Sequence, residues 1–244
     1  MYWHAKRFRY EYKPLQNFLN MSNRIALTSL CLLIGLTVIA QNGSKWEFGV
    51  KAGLNYTGQH ASGFPEFLGQ DLNKIYNKTT TWDPGLSAGF QSKLRLSENF
   101  SLNADLLYNQ RAYTSTTKDT SFSEVKLINR LHYLSLPVYG GLQLLPGLNV
   151  EIGVETSYFL DWTGKYQGNQ IEPINRDAIS DFDFGVAGGL SYRINKYLSL
   201  QGRYYRGLVN TMEVKFTDIN GNELEGNTKF INHGVQLSLT VFPF

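Results

Sequence analysis

The segment from Val150 to Trp162 changes character at every residue. Val150, Ile152, Val154, Tyr158, Leu160 and Trp162 hold the even positions, interrupted only by Thr156. Glu151, Gly153, Glu155, Ser157 and Asp161 hold the odd ones, together with Phe159. A period of two over this length predicts a long β-strand with chemically opposite faces. Seven further segments repeat the alternation: 45–57, 83–96, 100–113, 130–144, 181–194, 197–210 and 230–241. With the first, they predict eight strands, an even number.

Alternation does not say which face meets which solvent. In a lipocalin the apolar face lines the interior. In an outer-membrane barrel it meets lipid, and the polar face lines the lumen. The connections decide between the two. Three are tight: Ser97 to Asn99, Pro146 to Asn149, and Asn195-Lys196. The other four are long, at 58–82, 114–129, 163–180 and 211–229. Short and long alternate strictly, which in an up-and-down barrel puts every short turn at one end. Transmembrane barrels have that asymmetry, with short periplasmic turns and long outer loops. Each segment also supplies the roughly 9–11 residues that a tilted membrane strand needs. Trp46, Tyr56, Phe100, Tyr108, Tyr158, Trp162, Phe182 and Tyr197 sit near strand ends, where amphipathic rings suit the two lipid interfaces. The expected fold is therefore all-β, an eight-stranded antiparallel up-and-down transmembrane β-barrel.

The polar face agrees. It is Gly, Ser, Asn and Gln with scattered charges of both signs, not the Lys/Glu-dense surface of a soluble protein. Glu47, Asp105, Glu151, Glu155 and Asp183 are expected to meet Lys51, Lys93, Arg95, Arg193 and Arg203 inside a narrow lumen. Eight strands leave an interior only wide enough for side chains. Gly49, Gly53, Gly89, Gly153, Gly185 and Gly189 fall on the same crowded face. Glu151 and Glu155 are thus expected to face the lumen, and Ile152 and Val154 to face lipid. In the first long loop, Phe67, Leu68, Leu72, Ile75 and Tyr76 recur at helical spacing behind Pro65, which predicts a short amphipathic helix.

The front of the chain has a different pattern. From Met21 a short basic stretch with Arg24 leads into an apolar run of 15 residues, Ile25 to Ile39, and then Ala40-Gln41. That is the layout of a secretory signal peptide at residues 21–40, and the run is short of the roughly 20 residues of a spanning helix. Residues 1–20 are expected to be upstream sequence, and 41–244 the barrel domain. The leader also explains the basic charge. Residues 1–40 carry five of the 23 Lys and Arg and one of the 20 acidic residues, which leaves 18 basic against 19 acidic. A nucleic-acid partner needs a basic face on the folded domain, and that excess is missing. Cys31, the only cysteine, lies in the signal. The mature chain is left without disulfides or thiolate chemistry.

Three segments carry a family resemblance: FGVKAGLNYT, YLSLPVYGGL and DFDFGVAGGLSYRINKYLSLQGRYYRGL. The chain from Lys45 to Phe244 resembles the PorT-like outer-membrane β-barrel domain proteins of Gram-negative bacteria. The resemblance implies the fold and a cell-envelope location. It also implies, through some relatives, a secretion or envelope protein partner; no functional residue carries over. Phe244 is the terminal aromatic that barrel-assembly machinery reads, but Val235, Leu237, Leu239 and Val241 have the opposite parity.

No catalytic, cofactor-binding or metal-ligating residue is assigned. Asp218 to Lys229 imitates a calcium loop but has Glu223 and Lys229 where that loop needs Gly and Glu, so Asn220-Gly221 is read as a hairpin tip. His60, His132 and His233, with Asp181 and Asp183 near the rim, are read as interfacial groups, since nothing supplies a nucleophile. The expected role is non-enzymatic, structural or interactive through long outer loops, on a monomeric barrel embedded in outer-membrane lipid. The alternatives are an accessory of a secretion or envelope complex and, less favoured, a membrane-embedded hydrolase or acyltransferase. Mass spectrometry of the mature N-terminus is expected to begin at Gln41; an intact 25–39 segment in the membrane form would contradict the signal reading.

Overall fold

The structure is a computed structural model that describes residues 45–64, 71–118, 124–166, 169–171, 178–212 and 228–243. The leader, the cleavage site, the 218–222 hairpin tip and Phe244 lie outside the described residues.

The alternating segments become strands β1 (Trp46–Ser62), β2 (Thr80–Arg95), β3 (Phe100–Lys118), β4 (Glu124–Leu145), β5 (Leu148–Tyr166), β6 (Asn169–Ile171), β7 (Phe182–Arg193), β8 (Leu198–Gly207) and β9 (Lys229–Val241). Each pairs antiparallel with the next in sequence, except that β5 pairs with β7 past the three-residue β6. β9 returns to β1, from Val50↔Val241 to Ser62↔Lys229, and the sheet closes into a ring of eight long strands. β6 only extends the end of β5, opposite Gly164 to Tyr166. Closure is what lipid demands, because an open edge would leave backbone groups without partners.

The two faces sort as the alternation predicts. Ile152 is 73% exposed, whereas its neighbour Glu151 and the next inward carboxylate, Glu155, are buried. Val50, Leu54, Leu86, Phe90, Leu136, Leu190, Leu237 and Leu239 continue the outward apolar belt. No helix among the described residues is long and apolar enough to cross a membrane. The inward glycines permit close approach. A Cβ on Gly153 would lie 2.1 Å from the Val138 carbonyl oxygen, and one on Gly185 would lie 2.7 Å from the Tyr205 ring.

Three expectations need correction. Trp162 was placed on the outward face, but it is 3% exposed and points inward. The pairing slips from His132↔Asp161 to Tyr133↔Phe159, so Leu160 is an extra residue and parity inverts above it. The loop expected at 114–129 is mostly wall: β3 runs to Lys118 and β4 begins at Glu124. The wall is accordingly uneven, with β4 at 22 residues and β8 at 10. The helix α1 is Leu72–Thr79, capped by Asp71, whose carboxylate accepts from the Lys74 amide at 3.2 Å. Pro65 therefore does not open it, and Phe67 and Leu68 lie outside the described residues.

One seam departs from regular pairing. Between Asp83↔Ala112 and Ser87↔Asn109 the β2–β3 register shifts, at Pro84-Gly85-Leu86. Pro84 has no N–H to donate. Side chains of β1 reach across instead. The Asn55 amide donates to the backbone oxygens of Leu86 and Gln110 at 3.3 and 3.1 Å. The Thr57 hydroxyl accepts from the Ala112 N–H at 2.6 Å and donates to its carbonyl at 2.9 Å. Gly85 is required here, since a Cβ would meet the Gln110 oxygen at 2.1 Å.

The sorting of faces predicts a depth-dependent cost. Ile152→Arg, in mid-belt, is expected to lower barrel stability by about 2–4 kcal/mol, and Ile194→Arg, at a short turn, by about 0–1 kcal/mol. Urea titrations of the refolded variants in lipid check this; equal losses would contradict the face assignment.

Candidate functional site in the barrel interior

The inward positions of the strands meet along the barrel axis in three tiers. At the short-turn end, Glu47 on β1 pairs with Arg193 on β7 at 2.8 Å and with Arg95 on β2. The Arg193 guanidinium also lies 4.1 Å from the Phe242 ring, which turns inward and is buried. Phe242 keeps the inward parity of Ser238 and Thr240, and its amide donates to the Tyr197 carbonyl at 2.7 Å, one step beyond the Leu198↔Val241 pair; Phe244, where the parity conflict arose, lies outside the described residues. A cavity of about 190 Å³ opens at this end, lined in part by Lys93, Arg95, Asn149 and Arg193.

The middle tier centres on Tyr139. Its hydroxyl donates to Asp105 and accepts from Gln91 at 2.6 Å. Lys51 on β1 donates to Asp105 on β3 at 2.6 Å, across the inner face of β2. Glu151 accepts from Ser191 at 2.8 Å and from the Gln201 amide.

The upper tier is built on Arg111. Its guanidinium pairs with Glu155 at 2.8 Å and with Asp183, and donates to Ser157 at 2.8 Å. It is held between the Tyr133 and Tyr205 rings, 4.7 and 4.2 Å from their centroids. Arg203 adds a second cation on Glu155 at 3.1 Å, and Asn232 donates to Asp183 at 3.0 Å. These groups come from β3, β4, β5, β7, β8 and β9, so one cluster ties together most of the ring. A buried carboxylate survives only with paired charge and hydrogen bonds, and both are present here.

Above the ions the interior turns apolar. Tyr113, Leu131, Tyr133, Phe159, Trp162 and Ile179 form one buried cluster. Ala61, Met212 and Phe230 form another, against which Phe64 and Tyr76 of α1 pack. Two polar contacts hold α1 on the rim. The Tyr76 hydroxyl donates to Gln59 at 2.6 Å, and the Asn77 side chain bonds both the N–H and the carbonyl of Ala61 at 2.9 and 2.8 Å. Burial pushes the Tyr76 phenol up to about 12.

The sequence-derived pairings are found for Glu47 with Arg95 and Arg193, for Asp105 with Lys51 and for Glu155 with Arg203. Glu151 and Lys93 take no ion pair among the described residues, and Asp183 pairs instead with Arg111, which was omitted from the expected cations and carries the largest cluster. Its signal was its parity, shared with Asn109 and Asp105 on β3. The weighed catalytic groups are not brought together. Asp183 is inside on Arg111, while His132 faces out and bonds Tyr108 and, at 3.1 Å, Thr163. His60 and His233 also lie on the outer surface, with ring centroids 6.4 Å apart. Among the described residues no cluster of three or more His, Cys, Asp or Glu could hold a metal.

An eight-stranded antiparallel ring with an apolar belt outside and ion pairs inside is a transmembrane β-barrel. The chain belongs to the outer membrane protein beta-barrel domain family, whose profile matches residues 39–213. Its location is the outer membrane. It is similar in structure to Neisserial surface protein A, at 13% identity and TM-score 0.44, over 80% of this chain and 96% of that one. It is also similar to Ail, the attachment invasion locus protein of Yersinia pestis, at 8% identity and TM-score 0.41, over 80% and 97%. OprG from Pseudomonas aeruginosa is similar at 12% identity and TM-score 0.41, over 80% and 94%. None of the curated proteins matches the chain.

Removing one partner of a buried pair leaves the other charge uncompensated, at a cost of about 3–5 kcal/mol. Arg111→Met is expected to destabilise the barrel by that amount in urea titrations. Adding Glu155→Gln and Asp183→Asn to it is expected to restore part of the loss, because the stranded carboxylates are then neutral.

Proposed function

We propose that this outer-membrane barrel is a non-enzymatic structural or interaction protein. It acts through the surface displayed at its long-loop end, which faces outward, while its lumen is closed to ion flow. The observation that carries this reading is the Arg111 cluster. Its side chains span the lumen from β3 to β5, β7 and β8, and the buried aromatic cluster lies directly above. Eight strands leave no room for a water column beside such a cluster. Asp183 lies inside on Arg111 while His60, His132 and His233 lie on the outer surface, so the weighed groups do not form one site, which supports a role without catalysis.

Membership of the PorT-like branch, read from the three segments quoted above, gives this role a more definite form. The displayed surface then serves an accessory part of a secretion or envelope complex. Cross-linking in intact cells followed by detergent extraction tests for that partner.

In planar bilayers the purified monomer is expected to give no stable ohmic current. Arg111→Ala is expected to bring at most flickering openings, since the aromatic cluster above it remains. A large steady conductance from the unaltered monomer would overturn the closed lumen and favour a channel.

A further inference from the structure

The outer surface of the β8–β9–β1–β2 wall carries a group of side chains that the interior reading does not use. Going up each strand from the apolar belt, the outward residue after Tyr204 on β8 is Arg206, and after Val235 on β9 it is His233. On β1, Tyr56 is followed by Gly58 and then His60. The ladder pairs Arg206 with His233 and His233 with Gly58, so these positions are direct cross-strand neighbours. Gly58 has a specific purpose. A Cβ there would lie 2.5 Å from Cδ1 of Trp82, so the missing side chain lets the indole lie flat over β1. The indole then touches Tyr56 and His233, at centroid distances of 5.5 and 5.0 Å.

Charge separates this patch from the rest of the wall. Arg95, Arg111, Arg193 and Arg203 each have a carboxylate. Arg206 is exposed and has neither an ion pair nor a hydrogen bond among the described residues. The charged groups that act on the His233 ring are His60 and Arg206, both of the same sign when protonated. Lys229, exposed on β9 above them, adds another cation. Asp83, the neighbouring carboxylate on β2, is taken by the Thr114 hydroxyl at 2.6 Å. The cationic, ring-framed surface thus holds no ion pair among the described residues at the level where the apolar belt ends. Headgroups lie at that level, and their phosphates match a guanidinium fork.

We propose that Arg206, His60 and His233, arranged around Trp82, bind the phosphate of a membrane lipid headgroup in the leaflet at the long-loop end. The guanidinium takes two phosphate oxygens, the imidazoles add hydrogen bonds and, when protonated, charge, and the Tyr56 and Trp82 rings pack on the first acyl carbons. An imidazole gains its charge only in acid, so the site tightens as pH falls. Asp83, the carboxylate on β2 beside the patch, forms no ion pair with it among the described residues.

The test is native mass spectrometry of the full mature barrel in detergent with dioleoyl phosphatidylglycerol, whose phosphodiester keeps one charge throughout the pH range used, and with dioleoylglycerol as the phosphate-free control. The barrel is expected to retain phosphatidylglycerol selectively, and more tightly at about pH 5.5 than at about pH 8. Each charge removed is expected to weaken retention about fivefold. Arg206→Gln alone should show that loss at both pH values, and Arg206→Lys should recover only part of it, since an ammonium restores the charge but not the two-oxygen fork. His60→Gln with His233→Gln should abolish the pH dependence and leave the tighter binding at low pH about 25-fold weaker. Heat-modifiable migration of every variant checks folding, which these exposed positions should not affect. Unchanged retention in folded Arg206→Gln would overturn the site. Equal retention of dioleoylglycerol would reduce it to acyl contact. Full displacement by inorganic phosphate at the lipid's own concentration would make it a soluble-anion site instead.

Discussion

A backbone that crosses lipid has no water to satisfy its polar groups, so every N–H and C=O must find a partner within the protein. The pairing of β9 with β1 meets that demand, because without it two long strands would present open edges to hydrocarbon. The rest follows from the closed ring. Closure fixes which residues face inward, and eight strands bring inward side chains from opposite walls into contact. The charges on those side chains must then be paired with one another. Lys51 with Asp105, and Arg111 with Glu155 and Asp183, are consequences of ring size as much as of residue type.

The interior is graded along the axis. Near the short turns it is hydrated and ionic, around Glu47 and Arg193. At mid-height it is a hydrogen-bonded network on Tyr139 and Asp105, and at the Arg111 tier the ions are enclosed between aromatic rings. Above that the side chains are apolar, and α1 adds Tyr76 to the last cluster. A uniform polar lumen would have suited a water-filled channel. The apolar upper section instead resembles the core of a soluble domain, built where the wall rises past the lipid belt.

Much of this was legible because a period of two marks faces without reference to distant contacts. Glu151, Ile152, Val154 and Glu155 lie where alternation put them, as do the exposed rings of Tyr56, Phe100, Tyr158 and Tyr197. The failures share a cause, which is that pairing between strands is non-local. The extra residue at Leu160 turned Trp162 inward, and nothing in the local alternation of β5 marks it. The β3 end beyond the belt is Thr, Ser and Lys, whose polarity reads as loop although it pairs with the start of β4 to the last residue. The lumen pairings depend on which walls face each other, so the sequence offered the right charges without the Arg111 hub. α1 was misplaced because its apolar spacing extends back past the residue that caps it, Asp71.

The seam at Pro84 has a mechanical meaning. A ring of hydrogen-bonded strands resists squeezing evenly as long as each neighbour pair is joined by the same ladder. Between β2 and β3 that ladder is interrupted, and Asn55 and Thr57 span the interruption from the next strand over. Side chains can swing on their χ angles, whereas ladder bonds break only when strands part. Like the slip at Leu160 between β4 and β5, this interruption is a compliant line in the wall, at the height of Tyr56, where sideways pressure from the surrounding lipid is absorbed by two rotamers instead of by the sheet.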